Sequence, residues 1–299
     1  MTKRISQTLG DAFQVRLQTV RKNNDVKMMG IMVTECKRNI SPTIYIEHFF
    51  EKYQNGEPMD ALAEEMVTAL RRGMPATDFD LDFFTDYQFV KEKICFRLVN
   101  AEKNDALLKD IPYIPFLDLL ITFYYPVDDV KIGKGTIQIR NSHMELWGVD
   151  TQELWRAAQQ NTKRLCPPEC CSMERLMMEM VGGCAFDEPA GDLPENMGIP
   201  MHVLTNRERV FGASVILYDK YLDRIAESLG SSFYLLPSSI HEVILLPKQN
   251  GDDSGRLQEI VREVNEKELE RQDILSDSIY YYDMQKKRIF LMDKSFQII

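Results

Sequence analysis

The 299 residues suffice for one large domain or two, and 44% hydrophobic with 27% charged residues is the balance of a folded globular chain, not a disordered or fibrous one. A formal charge of −10 disfavours a nucleic-acid partner, because neutralising phosphates requires concentrated positive surface. A membrane span of about 20 apolar residues is also missing, since the most apolar run, "IPFLDLLITFYYPV", carries Asp118 and closes on Pro126.

The opening "MTKRISQTLGDAFQVRL" has early positive charge with no apolar stretch behind it, so it does not read as a signal peptide. Cys36, Cys95, Cys166, Cys170, Cys171 and Cys184 are irregularly spaced and read as reduced thiols. The compartment expected is the cytoplasm.

"FQVRLQTV" (13–20) alternates apolar and polar residues and "VKMMGIMV" (26–33) follows, which predicts a hairpin turning at Asn23, Asn24 and Asp25. "SPTIYIEHFFEKYQNGE" passes from a short strand into a helix that Gly56 stops. Pro58 opens the helix "MDALAEEMVTALRR", where Leu62, Met66 and Leu70 recur at helical spacing. A further helix is expected over 79–92. "ICFRLVN" predicts a strand, "AEKNDALLKD" a short helix, and "FLDLLITFYY" a single strand. "GTIQIRN" is the second arm of a hairpin closed by "PVDDVKIGK". "DTQELWRAAQQNTKRL" reads as a helix capped by Asp150 or Thr151, and "SMERLMMEM" as a shorter one.

The segment 182–200, "GGCAFDEPAGDLPENMGIP", is rich in Gly, Pro and acids and reads as a linker or long loop. It would divide an N-terminal α+β region, 1–181, from a C-terminal one, 201–299. Beyond it three hairpins are predicted, from "MHVLTN" with "FGASVILY", "FYLLP" with "HEVILLP", and "SIYYYDM" with "RIFLMD". The helices "KYLDRIAESLG" and "GRLQEIVREVNEKELERQ" separate them. Hairpins alternating with helices predict an α+β fold of antiparallel sheets.

The first candidate site is "LLPSSIHEVILLP" (235–247), where Ser238, Ser239, His241 and Glu242 join two apolar runs. Ser239 and His241 share a face if the backbone is extended. No G-x-S-x-G elbow presents the serine, and the position four after His241 is Leu245, so no H-E-x-x-H zinc motif exists. The reading is a polar turn that contacts a partner or ligand. The second candidate, "NSHMELW", pairs His143 with Glu145 upstream of Cys166, Cys170 and Cys171. A zinc deaminase uses such a set, but needs P-C-x-x-C; here two cysteines are adjacent and the third stands too far off. No metal is assigned. Neither a P-loop nor a dinucleotide glycine fingerprint occurs, so no cofactor is assigned either. Trp147, Trp155 and the run Tyr280 to Tyr282 read as core residues, with Tyr281 facing away from its two neighbours.

The phrases "NISPTIYIEHFFEKYQNGE", "IPYIPFLDLLITFYY", "IRNSHMELWGV", "VLTNRERVFGASVILY" and "LPSSIHEVILLP" together resemble an uncharacterised bacterial family, a domain of unknown function. The resemblance implies a bacterial cytoplasmic protein and carries over no catalytic residue. The reading is a non-catalytic binding or interaction protein with a protein or small-molecule partner. The alternative is a hydrolase using Ser239 with His241, or a metal held by His143, Glu145, His241 and Glu242.

Overall fold

Alternation, turn chemistry and helical spacing place the first elements where the sequence predicts them. A computed structural model describes residues 1–35, 42–74, 82–129, 133–180, 201–237, 239–249 and 254–292. Helix α1 (Thr2–Leu9) leads into strands β1 (Phe13–Arg21) and β2 (Lys27–Glu35), paired antiparallel from Phe13 opposite Glu35 to Arg21 opposite Lys27. Asn24 and Asp25 turn the chain at φ 57° and 51°, a left-handed conformation that short polar side chains tolerate. The Asn24 side chain donates to the Arg271 and Ile274 carbonyls at 2.8 and 2.7 Å, and Asn23 to that of Gln272 at 2.8 Å. Strand β3 (Thr43–Tyr45) extends the sheet beside β2. Helix α2 (Glu47–Gln54) stops before Gly56, at φ 96°, and α3 (Met59–Gly73) follows. Met66, Val67 and Leu70 of α3 pack on Ile5, Ile31 and Val33, closing a small core.

The helix expected over 79–92 is not continuous. Residues 79–81 lie outside the described residues; Asp82–Thr85 make a 3-10 turn, and only Tyr87–Val90, α4, are α-helical. Asp86 is extended, and its carboxylate accepts the Gln88 N–H at 2.8 Å. That local bond competes with the helical ladder and restarts the helix one residue later. The helix expected from Ala101 is likewise reduced to a 3-10 turn, Glu102–Asn104, followed by turns.

Strands β4 (Cys95–Asn100), β5 (Tyr113–Phe116), β6 (Leu119–Asp129) and β7 (Gly133–Gln138) make the second sheet. β6 pairs with β4 along one edge, and with β5 then β7 along the other. The run read as one strand therefore folds back at Leu117 and Asp118, with Leu117 at φ 54°. Asp118 is held there by hydroxyl hydrogens from Ser276, at 2.6 Å, and Tyr280, at 2.5 Å.

Helix α5 (Asn141–Trp147) precedes α6 (Thr151–Leu165), whose cap Asp150 accepts the Glu153 N–H at 2.8 Å. Then come β8 (Pro168–Ser172), α7 (Met173–Met180), β9 (His202–Asn206), α8 (Tyr221–Leu229), β10 (Phe233–Leu236), β11 (Val243–Pro247), α9 (Ser254–Lys267), β12 (Tyr280–Asp283) and β13 (Arg288–Leu291). The third sheet is antiparallel in the order β13-β12-β10-β11-β9-β8. The hairpins β10/β11 and β12/β13 are those predicted. The hairpin between "MHVLTN" and "FGASVILY" is not formed: Gly212–Leu217 is a buried 3-10 helix, and β9 pairs with β8 and β11 instead.

One hydrophobic core takes Phe96, Phe123 and Leu154 from the middle of the chain and Val215, Leu235 and Tyr280 from beyond it. Tyr281 faces the other way, into a smaller cluster with Val261 and Leu246. The segment 182–200 lies outside the described residues. The arrangement is α+β, with antiparallel sheets and helices packed on them. Among the described residues no helix is long and apolar enough to cross a membrane.

Candidate functional site

The turn between β10 and β11 spends its polar groups on itself. The Ser239 hydroxyl oxygen accepts the backbone N–H groups of His241, at 3.0 Å, and Glu242, at 3.2 Å, and the serine is only 3% exposed. His241 is turned away from that hydroxyl's chemistry. Its Nδ1 accepts the Phe211 N–H at 3.3 Å, and Nε2 lies 3.7 Å from Asp273 Oδ1. Ser238 lies outside the described residues.

His143 and Glu145 occupy a different place. His143 Nδ1 accepts the Arg140 N–H at 3.1 Å and so closes the start of α5, while its ring meets Phe84 edge-on at 5.1 Å. Burial, and then the nearby Arg140 charge, hold its pKa below the ordinary imidazole value. Glu145 is exposed on the same helix. Among the described residues, no group of three or more His, Cys, Asp or Glu side chains is arranged to hold a metal ion.

His241 does lead to a cavity. Its ring stacks on Phe211, with centroids 5.8 Å apart and planes 11° from parallel. Phe211 in turn meets Tyr124 at 5.1 Å, and the Arg97 guanidinium lies 4.6 Å from the Phe211 ring centre. Burial pushes the Arg97 pKa down to about 10, still far above neutrality, so the cation over the ring persists. Phe211 is one wall of a cleft of about 520 Å³, whose apolar lining includes Tyr124, Val127, Leu165 and Val210. Lys134 and Glu208, both among its lining residues, pair at 2.8 Å.

The cleft is lined at one point by Cys166, the residue that ends α6. Its N–H donates to the Thr162 carbonyl at 2.8 Å, and its own carbonyl accepts the Tyr218 hydroxyl at 2.9 Å, so the backbone carrying the thiol is fixed. The sulfur lies 3.7 Å from the Tyr124 hydroxyl. Tyr124 stands directly opposite Cys95 in the β4–β6 ladder, which puts both side chains on one face of the sheet. The Cys95 thiol is the main reason that the Cys166 thiol sits below its ordinary pKa; burial opposes it and Tyr124 assists, while the Cys95 Sγ itself lies 3.4 Å from the Lys93 carbonyl. Cys166, with burial, pushes the Cys95 pKa far up.

Sequence patterns signal neither the cleft nor the thiol pair. Tyr124, Cys166 and Phe211 stand on separate elements, and no fixed spacing joins Cys95 to Cys166. The nearest sequence signal is Cys166 between a helix end and two prolines.

The described residues thus make an α+β protein with a mainly apolar cleft and one thiol, that of Cys166, at its wall. The chain belongs to the family described as "Family of unknown function (DUF5688)", whose model matches residues 1–284. No curated protein and no solved structure matches it.

Proposed function

We propose that this is a non-catalytic binding protein of the bacterial cytoplasm, and that the cleft beside Phe211 takes a small, mainly apolar molecule carrying a polar end. The observation that carries the reading is the cleft itself: about 520 Å³, apolar along Tyr124, Leu165 and Val210, with the Lys134–Glu208 pair available to a polar group. Small-molecule sites are mostly apolar concavities with a few polar groups that fix orientation. Ser239 and His241 serve the site indirectly, the serine by shaping the turn and the imidazole by holding Phe211. The irregularly spaced cysteines and the family resemblance support the compartment.

An environment-sensitive naphthalene sulfonate dye, apolar with one anionic end, tests the reading. It should bind saturably at one site per chain. Val210→Trp fills the cleft and should weaken binding at least about tenfold, about 1.4 kcal/mol. Thr136→Trp, from the exposed face of β7, should do the same with less risk to folding. Near-UV circular dichroism checks that each variant keeps its packing. Unsaturable binding, or wild-type affinity in both folded variants, sinks the proposal.

A further inference from the structure

Cys95 and Cys166 belong to distant parts of the chain, yet the fold brings them into one neighbourhood: Tyr124 stands opposite Cys95 in its ladder and sets its hydroxyl 3.7 Å from the Cys166 sulfur, and the Phe96 N–H donates to the Thr162 hydroxyl at 3.0 Å. Their access is unequal. Cys166 lines the cleft and keeps 6% exposure, while Cys95 is fully enclosed at 0%. A small oxidant entering the cleft meets one sulfur and not the other. Groups around the outer sulfur favour its anion: the Tyr124 hydroxyl lies 3.7 Å away, and the Cys95 thiol lowers its pKa. The thiolate is the nucleophile in peroxide and disulfide chemistry, so this sulfur is the one equipped to react first.

The two remaining described thiols are unlike this pair. Cys170 and Cys171 are neighbours in β8, where successive side chains point to opposite faces. Burial, then Cys171, pushes the Cys170 pKa up to about 11, which leaves it protonated. Cys36 and Cys184 lie outside the described residues.

We propose that Cys166 is a peroxide-reactive thiol with Cys95 as its resolving partner, so that a small hydroperoxide entering the cleft converts the two into a disulfide. In the first step the Cys166 thiolate attacks the distal oxygen of the hydroperoxide. An S–O bond forms, the O–O bond breaks, and the departing alkoxide or hydroxide takes a proton to leave as alcohol or water. Cys166 is then a sulfenic acid, oxidised by two electrons, and the peroxide has been reduced by two. In the second step the Cys95 sulfur attacks the Cys166 sulfur. The S–S bond forms, the S–O bond breaks, and the hydroxyl leaves as water with the Cys95 proton. Disulfide reduction by a dithiol restores the starting state. The inference stands apart from the binding reading, because a small peroxide needs only entry to the cleft.

The test is peptide mapping of the full chain after a stoichiometric pulse of hydrogen peroxide, with free thiols blocked under denaturing conditions. The wild-type chain should lose two hydrogens and yield a Cys95–Cys166 cross-linked peptide that a dithiol removes. Cys95→Ser should instead accumulate a Cys166 sulfenic acid, captured by a cyclic 1,3-dione. Cys166→Ser should leave Cys95 unmodified under the same pulse. Three outcomes overturn the proposal: unreacted Cys166 in wild type, a disulfide joining other cysteines, or equal dione capture in wild type and Cys95→Ser. The wild-type map requires no variant to fold, so it decides the case even if a substitution is not tolerated. Dye binding by the reduced wild-type chain, measured alongside, reports on the binding reading separately.

Discussion

Ser239 illustrates how a reactive residue type acquires a structural task. With its oxygen accepting two backbone N–H groups in a buried turn, removal of the hydroxyl strands those donors. Ser239→Ala should therefore cost about 1–3 kcal/mol in urea unfolding. Treatment with a fluorophosphonate should leave the native serine unlabelled; a label on Ser239 would return it to nucleophilic chemistry. The histidines set a pH dependence. Burial is the first cause of a depressed pKa at both His143 and His202, and the buried Nε2 of His202 has no hydrogen-bond partner among the described residues. A depressed imidazole pKa means that the unfolded chain binds the proton more tightly. The contribution is complete above the unfolded value of about 6.5 and declines as pH falls below it. The urea midpoint should drop between about pH 7.5 and 5.5, and less steeply in His143→Gln. An unchanged slope in that variant would remove His143 from the account.

At the scale of elements, the sequence was legible where local signals agreed. Alternation and the Asn-Asn-Asp turn give β1 and β2, and the spacing of Leu62, Met66 and Leu70 gives α3. Legibility failed where a distant partner decides. Near Leu117 the turn-type residues Pro115 and Asp118 sit within an apolar run that reads as strand; Asp118 finds its partners, Ser276 and Tyr280, more than 150 residues later in the chain. The run Phe211–Tyr218 is apolar apart from Ser214, a pattern shared by buried strands and buried helical turns. Tertiary packing selects the second. Gly212 is the reason visible in the structure: a Cβ there would collide with Thr205 Oγ1, the His241 carbonyl oxygen and the Asn206 nitrogen. Two of those three atoms are backbone and cannot step aside. Gly212→Ala should destabilise the fold by about 3 kcal/mol and displace Phe211, so thermal unfolding and dye binding should suffer together. Normal values for both would show that the turn is more pliant than its geometry indicates. The cleft escaped sequence reasoning for the same reason, since its walls are residues brought together only by three-dimensional packing.

At the scale of the whole molecule, β8 and β9 stand on opposite sides of 182–200 yet pair along five residues, Pro168–Asn206 to Ser172–His202. The main core draws from both sides as well. We propose that the middle and the C-terminal parts of the chain unfold as one cooperative unit. A single protease cut within 182–200 should leave the two fragments co-eluting on native size exclusion and parting only in denaturant. Fragments that migrate separately after the cut would support two domains instead.

The amides of Asn23 and Asn24 clasp the backbone at 271–274, so this hairpin is latched by a segment synthesised about 250 residues after it. Closing so wide a loop is slow compared with forming the hairpin itself. A nascent chain stalled short of residue 270 would therefore display that ribbon with its tip undocked, a form a chaperone could hold and the finished protein conceals.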